Sequence, residues 1–511
     1  MCKLCHDAGV GQAEGHLTYH PEADRIYEDY DASAHGSSIN SYTYVTGSTT
    51  DVKGSCSKCH THEGGKLYKD VQGGYDELVA ELSTNPAVEN ATDIQCGTCH
   101  DPHDPDQLLK PASGGFSAEY RTCDPSNERV CRDCHNVHAA DNSINNEWAN
   151  SAHGGHILQT IDSVTGRSSV TQTEGGAWMY YDYKTYSGGA CTRCHTSTGF
   201  KNLATSPSTY NPANNDFSYL TSNQKEMLYC WACHTDSAGG LRDPGAFVNV
   251  APYSAPVDRI SAVPDINGSN QCMSCHSGRL NGQFIKDYGT ITGKNFSTFS
   301  SHYLADGGIL YRTIGYEYAS LDYSNVIGFA HDKIGTTNGT DGNDGPCVGC
   351  HMVNDDGHAD HTWEPLEKDG SDQVTDIQTY SNVCSKCHSS KATLISALNT
   401  RDVQYKTALA ALDAQLQGKG IYFCENYPYF KTAASCGGGF YTAWPNKDTL
   451  GAAFNYFVLD HIPAAYVHNR EYTRKLIYDS IDFLDNGAMD KSVEATLGGS
   501  GDAYDYLNGT R

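Results

Sequence analysis

One five-residue pattern, Cys-x-x-Cys-His, recurs along the chain between residue 2 and residue 388. Two cysteines three residues apart can both form thioethers with the vinyl groups of one haem, and the next residue, histidine, then lies under the iron. The cysteines of the pattern are Cys2, Cys5, Cys56, Cys59, Cys96, Cys99, Cys131, Cys134, Cys191, Cys194, Cys230, Cys233, Cys272, Cys275, Cys347, Cys350, Cys384 and Cys387. The histidines of the pattern are His6, His60, His100, His135, His195, His234, His276, His351 and His388. The pattern therefore predicts nine covalently attached c-type haems.

Two other kinds of site also use cysteine pairs. A zinc knuckle combines cysteines and histidines in one tetrahedral site, but it pairs half-sites and does not repeat one fixed Cys-x-x-Cys-His unit. Disulfides would give no reason for the histidine that follows every pair. No Cys-x-x-Cys-Lys variant, which would indicate a catalytic haem of the nitrite-reductase type, is present.

The sixth ligand of each iron decides whether a haem is open to substrate or closed for electron transfer. The sequence holds 23 histidines and six methionines, so 14 histidines remain after the nine in the motifs. This supply suffices for bis-histidine closure of every haem. Histidines close behind a motif are expected to ligate a neighbouring haem, and two others share the repeat Ser-Ala-His-Gly. The first group is His62, His103 and His138, and the second is His35 and His153.

Composition excludes several classes of protein. The net charge of -26 argues against nucleic-acid binding, which requires clustered Lys and Arg. No run of about 18 apolar residues predicts a membrane-spanning helix. We expect a targeting segment to have preceded the first motif. Only 38% of the 511 residues are hydrophobic and mean hydropathy is -0.54, so we expect haem to replace much of an aliphatic core.

The elements that position the motifs are predicted to change at residue 390. Residues 1–390 read as loops and short helices that wrap around the haems, because Gly, Asn, Asp and Pro are frequent there. Residues 391–511 read as a helical region packed on this haem core, with apolar residues at helical spacing in 402–420, 446–461 and 470–487. Cys424 and Cys436 flank a Tyr-rich loop and could form a disulfide in an oxidising compartment. The DGNDG stretch at 341–345 could bind calcium or form a solvated turn.

Several longer stretches resemble the outer-surface, Omc-type multihaem cytochromes of metal-reducing bacteria. They include EWANSAHGGH, LYCWACHTDSAGGLRDPGA, SSHYLADGGILYRTIGYEY and LGAAFNYFVLDHIPAAYVHNREYTRKLIYDSIDFLDNG. The resemblance runs from about residue 145 to 487. It implies electron transport to acceptors outside the cell, and some members of the family polymerise into conductive filaments. It also implies as distal ligands His153, His302, His331, His361 and His468, with His156, His358 and His461 as their nearby rivals.

These observations favour an exported electron carrier at the outer cell surface and no bond-making catalysis. The fold class would be a multihaem cytochrome c, mostly coil with short helices around nine haems. One alternative is a multihaem oxidoreductase that reduces a small nitrogen or sulfur compound at an open haem, and another is a mainly structural surface protein. The expected partners are metal oxides, other cytochromes and further copies of the chain. In a head-to-tail filament the first haem would stack on a neighbouring copy, with His16 or His20 as a ligand across the contact.

Overall fold

The structure, a computed structural model, describes residues 191–217, 230–235, 240–246, 264–324, 328–335, 344–355 and 359–511, with single residues at 189, 228 and 326. Before these it describes residues 30–31, 52–53, 60–63, 87–88, 92–95, 98, 100–101, 104–108, 144, 147–148, 151–153 and 183–184. The chain divides into two compact units. Unit 1 is Met1–Lys184 with Asp216–Met227, and unit 2 is Thr185–Asn215 with Leu228–Arg511.

The described parts of unit 1 include two short antiparallel strand pairs. β1 (Val52–Lys53) pairs with β2 (Ala87–Val88), and β3 (His100–Asp101) pairs with β4 (Asp104–Leu108). The segment that carries the second motif histidine is bonded to the segment before the third motif. There the Glu63 carboxylate accepts hydrogen bonds from the Thr92 backbone N–H at 2.9 Å and from the Thr92 hydroxyl at 2.7 Å.

The first half of unit 2 is built from short helices joined by turns. They are α1 (Thr192–His195), α2 (Ser197–Thr205), α3 (Cys230–Cys233), α4 (Asn270–His276), α5 (Gly282–Asp287), α6 (Asp306–Leu310) and α7 (Gly345–His351). Single 3-10 turns lie at Pro212–Asn214, Asn267–Ser269, Phe296–Thr298, His331–Lys333 and Cys384–Lys386. The helices are short because polar residues, Gly and Pro interrupt every apolar run.

The second half of unit 2 contains long helices. They are α8 (Lys391–Gly418), α9 (Lys447–Asp460) and α10 (Ala465–Asn486), followed by α11 (Val493–Thr496) and α12 (Asp502–Leu507). Two antiparallel strand pairs accompany them, β5 (Leu366–Lys368) with β6 (Val374–Ile377) and β7 (Tyr422–Phe423) with β8 (Phe430–Lys431).

Side chains at the helix ends explain where these helices begin and end. The Ser390 side chain accepts the Thr393 N–H at the start of α8, and Asn446 accepts the Thr449 N–H at the start of α9. Gly487 ends α10 with a left-handed backbone at φ 84°. α10 begins before the predicted helix 470–487, and the non-helical backbone of Asn469 bends it near its start.

Contrary to the expectation that haem replaces the aliphatic core, α8, α9 and α10 enclose a core of side chains. Phe457, Leu412, Ile477 and Tyr405 are at most 1% exposed, and the same cluster continues into Ile309 and Phe296. The average composition hid this core, because the polar loops of the rest of the chain lower the mean hydropathy. We call this cluster, formed by residues of 280–323 and 374–507, the C-terminal core.

The predicted disulfide is confirmed, since Cys424 and Cys436 are bonded with their Cα atoms 5.9 Å apart. It ties the end of β7 to the loop that follows β8. Among the described residues, no helix is both long and apolar enough to cross a membrane.

Candidate haem-binding sites

The motif at Cys191–His195 is held by a small buried polar network. Thr192, which stands between the two cysteines, donates its hydroxyl to the Gly189 carbonyl at 2.7 Å and lies 2.9 Å from the Tyr210 hydroxyl. The Asn215 side-chain amide donates to both hydroxyls, at 2.9 and 3.0 Å. These bonds fix α1, so that His195 is directed by a rigid turn and not by a mobile loop.

A serine joins the motifs at Cys272–His276 and Cys347–His351. The Ser269 hydroxyl donates to the Asp344 carbonyl at 2.5 Å and accepts the Val348 N–H at 3.1 Å. Gly345, at φ 82°, permits this contact, because a Cβ there would lie 2.2 Å from the Ile266 carbonyl oxygen. The start of α7 is thereby locked against the start of α4.

Thiols of different motifs also meet. The Cys272 thiol is hydrogen-bonded to that of Cys347, and the Cys275 thiol to that of Cys194, and both bonds raise the pKa of the α4 thiol, as does burial. The motif helix α4 therefore lies between the motifs of α1 and α7. Burial raises the pKa of Cys350 to about 12, and Cys384 lies close enough to add to the rise.

Four motif histidines each face a histidine from outside the motifs. The ring centres are 6.1 Å apart for His195 and His302, and 6.0 Å apart for His234 and His361. The ring centres are 6.2 Å apart for His351 and His468, and 6.3 Å apart for His388 and His331. A transition metal lies about 2 Å from an imidazole nitrogen, so two histidines on opposite sides of one metal have ring centres about 6 Å apart. The four pairs have the separation of two axial ligands.

Hydrogen bonds at the other ring nitrogen orient two of these histidines. The Nδ1 atoms of His331 and His351 lie 2.8 Å from the carbonyl oxygens of Val467 and Trp363. If Nδ1 donates to these carbonyls, Nε2 is the nitrogen left to bind a metal, which is the usual arrangement around metal-ligating histidines. His302 is held differently. Its backbone is left-handed at φ 64°, and its backbone N–H donates to the Ser300 hydroxyl.

The environment keeps several of these rings neutral, the form that binds a metal. Burial lowers the pKa of His195 to about 3 and those of His302 and His468 to about 4. Burial also lowers the pKa of His276, but the nearby Asp306 carboxylate outweighs it and raises the pKa overall. For Asp306 itself burial raises the pKa, yet the bond from His276 and the charge of His468 lower it to about 2.

The described residues of unit 1 include two of the predicted distal histidines, His62 and His153. The Nδ1 atom of His62 is 2.8 Å from the hydroxyl of Thr98, a residue inside the third motif, so His62 stands beside a motif other than the one it follows. His153 lies in a turn just after Ser151, whose backbone N–H donates to the Glu147 carbonyl at 2.9 Å.

Other candidate residues lie outside the part of the chain that the structure describes. They are Cys2, Cys5, His6, His16, His20, His35, Cys56, Cys59, Cys96, Cys99, His103, Cys131, Cys134, His135, His138, His156 and His358. The side chain of Cys230 and most of the DGNDG stretch also lie outside it. Within the described residues, no group of three or more His, Cys, Asp and Glu side chains could hold a metal ion by itself.

The rival histidine His461 lies in an aromatic environment. Its ring is 4.3 Å from that of Phe457 and 4.8 Å from that of Tyr303, and its Nδ1 is 2.8 Å from the Phe457 carbonyl. Sequence patterns alone did not separate it from His468, because both follow α9 within a few residues.

Two features near the motifs had no recognised sequence signal. Asp306 places its carboxylate between His276 and His468, at 3.3 and 3.8 Å from their Nδ1 atoms. A groove of about 540 Å³ follows the last motif along the first half of α8, and it is lined by Ala392, Thr393, Ser396, Ala397, Thr400, Arg401 and Gln404. Burial is the main cause that lowers the pKa of His388, and the positive charge of Arg401 adds to the lowering. Only the folded chain brings these residues to the motifs.

The chain resembles known polyhaem cytochromes over nearly all its length. A family model described as C-type polyheme cytochrome domain 2 matches residues 121–242. The C-type polyheme cytochrome OmcB of Geobacter sulfurreducens, in strains KN400 and PCA, is 31% identical over an alignment of 647 positions, gaps included. The alignment covers 97% of this chain and 86% of OmcB. The chain belongs to the C-type polyheme cytochromes.

A second relative extends this result. OmcC of Geobacter sulfurreducens is 37% identical over an alignment of 447 positions, gaps included. The alignment covers 75% of this chain and 56% of OmcC. The resemblance to Omc-type multihaem cytochromes that the motifs indicated is thus confirmed, and with it the class of electron-transport protein. No solved structure gives a significant match to the chain.

Proposed function

We propose that this polyheme cytochrome carries electrons through nine bis-histidine c-type haems and performs no bond-making catalysis. The observation that supports this most strongly is the set of four histidine pairs with ring centres 6.0 to 6.3 Å apart. Each pair joins one motif histidine to one histidine from elsewhere in unit 2. The assignment is His195 with His302, His234 with His361, His351 with His468 and His388 with His331.

The residues present fit haem c. In each motif the two cysteines would hold the haem through thioethers, and the motif histidine and its partner would bind the iron. When bound, haem c supplies a reversible one-electron couple between ferric and ferrous iron. The groove along the first half of α8 has a volume in the range of cofactor sites, and Arg401 on its wall, whose charge also acts on His388, would hold a propionate by a charge-assisted bond.

The chain itself performs three tasks in this proposal. It holds the paired rings at a fixed separation, by placing the motif histidines on short helices or turns and by carbonyls that face Nδ1 of His331 and of His351. It buries the rings, so that they remain neutral and water is kept from the sixth position. It also brings the thiols of the α4 motif into contact with those of the α1 and α7 motifs, and electron transfer between neighbouring sites requires such closeness.

The reductase hypothesis requires a haem with an open sixth position. The four pairs argue against this at the motifs of α1, α3, α7 and the Cys384–Lys386 turn. Because no described feature favours a substrate pocket at an open site, we retain only the electron carrier.

Its setting is a finer part of the proposal. We place the protein outside the cell or at the outer cell surface, with metal oxides or other cytochromes as electron acceptors. The charge of -26 supports positively charged mineral surfaces as partners. Assembly with further copies into a filament is supported by the family resemblance, and light scattering of the native protein at high concentration tests it.

Single substitutions test the ligand assignment. His302→Ala, His331→Ala, His361→Ala and His468→Ala should each convert one low-spin haem to high spin and allow it to bind carbon monoxide when reduced. The thioethers should survive, since none of these histidines lies in a motif. The matched control is His461→Ala, which removes a nearby histidine from the aromatic cluster and should leave every haem low-spin. An unchanged spectrum in the four variants, or a high-spin haem in the control, contradicts the assignment.

A further inference from the structure

One carboxylate stands between two of the histidines assigned above. Asp306 is the first residue of α6, and its Oδ2 atom lies 3.3 Å from Nδ1 of His276, the histidine of the α4 motif. Its Oδ1 atom lies 3.8 Å from Nδ1 of His468, the partner of His351. The two oxygens of one side chain thus face ligands of two different haem sites.

The other oriented histidines face neutral acceptors. His331 and His351 meet backbone carbonyls at 2.8 Å, and His361 meets the Ala359 carbonyl at 3.2 Å. A carboxylate carries a full negative charge, whereas a carbonyl carries a partial one. Asp306 therefore distinguishes the sites of His276 and His468 from those of His331 and His361.

Packing holds this carboxylate in position. The next residue, Gly307, lies so close to α4 that a Cβ on it would be 2.2 Å from the Met273 sulfur and 3.2 Å from the His276 carbonyl oxygen. The other end of α6 is held by α10, because the Asn469 side-chain amide donates to the Leu310 carbonyl at 3.2 Å. The short helix α6 is thus fixed between the helix of His276 and the helix of His468.

The charge of Asp306 is not taken up by a lysine or arginine within 4 Å in the described part of the chain, where its ion-pair contacts are the two histidines. A negative charge that accepts a bond from the outer nitrogen of an axial histidine makes that ring a stronger donor to the metal. Stronger donation and nearby negative charge both favour the ferric over the ferrous state, and so lower the reduction potential.

We propose that Asp306 is a shared positioning and tuning residue that lowers the reduction potentials of two neighbouring haem sites, those of His276 and of His351 with His468. This inference rests on the proposed function, since it takes these histidines as axial ligands. Its consequence is that the two sites form an adjacent low-potential pair within the electron path, beside sites whose ligands face backbone carbonyls.

The test is a spectroelectrochemical titration of the full-length, haem-loaded Asp306→Asn variant against the native protein. Two one-electron couples should move to higher potential, each by about tenfold in its redox equilibrium constant, which is about 59 mV for one electron. The remaining couples should stay within the scatter of repeat titrations. One of the two moving couples should be the one that His468→Ala converts to a high-spin haem.

A matched control removes the same charge elsewhere. Asp372 pairs with Lys368 and Lys406 on the surface, and its φ of 62° accepts asparagine, so Asp372→Asn should fold normally and leave every couple in place. Asp306→Glu keeps the charge on a longer side chain, so it should shift the same two couples, but by less than Asp306→Asn does. If Asp306→Asn loses a haem, Asp306→Glu replaces it in the test, because a shift confined to these two couples is still expected.

Each result supports or overturns the inference. Two shifted couples in Asp306→Asn, with none in Asp372→Asn, support it. No shift, a shift of one couple only, or an equal shift of all couples overturns it. Failure of the ligand assignment is separate, since it would be seen as an unchanged low-spin spectrum in His468→Ala before any potential is measured.

Discussion

Two regions of unit 2 differ in how their interiors are filled. In the C-terminal core, helices α8, α9 and α10 bury Phe457, Leu412 and many other apolar side chains almost completely. Around the motif helices α1, α4 and α7, which we call the motif cluster, the buried apolar cluster formed by described residues consists of Leu203, Tyr210, Ile266 and Met273, with Tyr311 packed against it. The comparison indicates that the motif cluster depends on its haems for an interior, whereas the C-terminal core supplies its own.

The two regions are nevertheless joined. His302 and His468, assigned as axial ligands, lie in segments packed with the C-terminal core, and each faces a motif histidine. We therefore infer that the core serves as a rigid support that presents the distal histidines, while the motif cluster presents the proximal ones. That residues 391–511 pack on a haem core stays a prediction from the sequence.

The largest effect should come from removing the central motif. In Cys272→Ser/Cys275→Ser, one haem cannot attach and the contacts of α4 with the α1 and α7 motifs are lost. Hydrogen exchange should show α1 and α7 unprotected while α9 and α10 remain protected, and haem content should fall by at least one. If α9 and α10 lose protection to the same extent, the two regions are one cooperative unit and the comparison fails.

A smaller effect should come from the C-terminal core. Phe457 is fully buried and its ring lies 4.6 Å from that of Tyr429 and 5.0 Å from that of Phe296. Phe457→Ala should lower the free energy of unfolding of this core by about 3–5 kcal/mol. Denaturant titration followed by far-UV circular dichroism measures it. The control is Phe440→Ala, at a position that is 50% exposed, for which less than about 1 kcal/mol is expected.

Removal of the disulfide should act on the C-terminal core alone. The Cys424–Cys436 bond closes a loop of 12 residues in sequence separation, so Cys424→Ser/Cys436→Ser should cost about 3 kcal/mol of stability. Haem content and the low-spin spectrum should be unchanged, because neither cysteine belongs to a motif. A loss of haem in this variant would show that the core and the motif cluster form together.

The smallest effect compares two helix caps. Ser390 begins α8 two residues after His388, and Asn446 begins α9 far from any motif in sequence. Replacing either by Ala should cost about 1 kcal/mol of helix stability. Only Ser390→Ala should also change the spectrum or potential of the haem at His388, because the start of α8 lines the adjacent groove. Equal spectra in the two variants would contradict a role of α8 in that site.

Part of the fold could be predicted from local pattern. The apolar periodicity at 446–461 corresponds to α9, and that at 402–420 to the second part of α8. The first part, from Lys391 onward, was missed because it lacks a continuous apolar face, and six of its residues, Ala392 and Arg401 among them, line the groove. The start of α10 at Ala465 was missed because Asn469 breaks the helical backbone there.

The sequence by itself determined the candidate chemistry of this protein. A fixed spacing of two cysteines and a histidine is a local property, so the candidate thioether anchors and proximal histidines can be predicted one motif at a time. Only the tertiary structure decided which histidine faces which motif, and that Asp306 lies between two of them. Those contacts join residues as far apart as His195 and His302, or His331 and His388, and such pairings depend on how the helices pack. Local spacing carries no information about them, because many chain paths satisfy the same motifs.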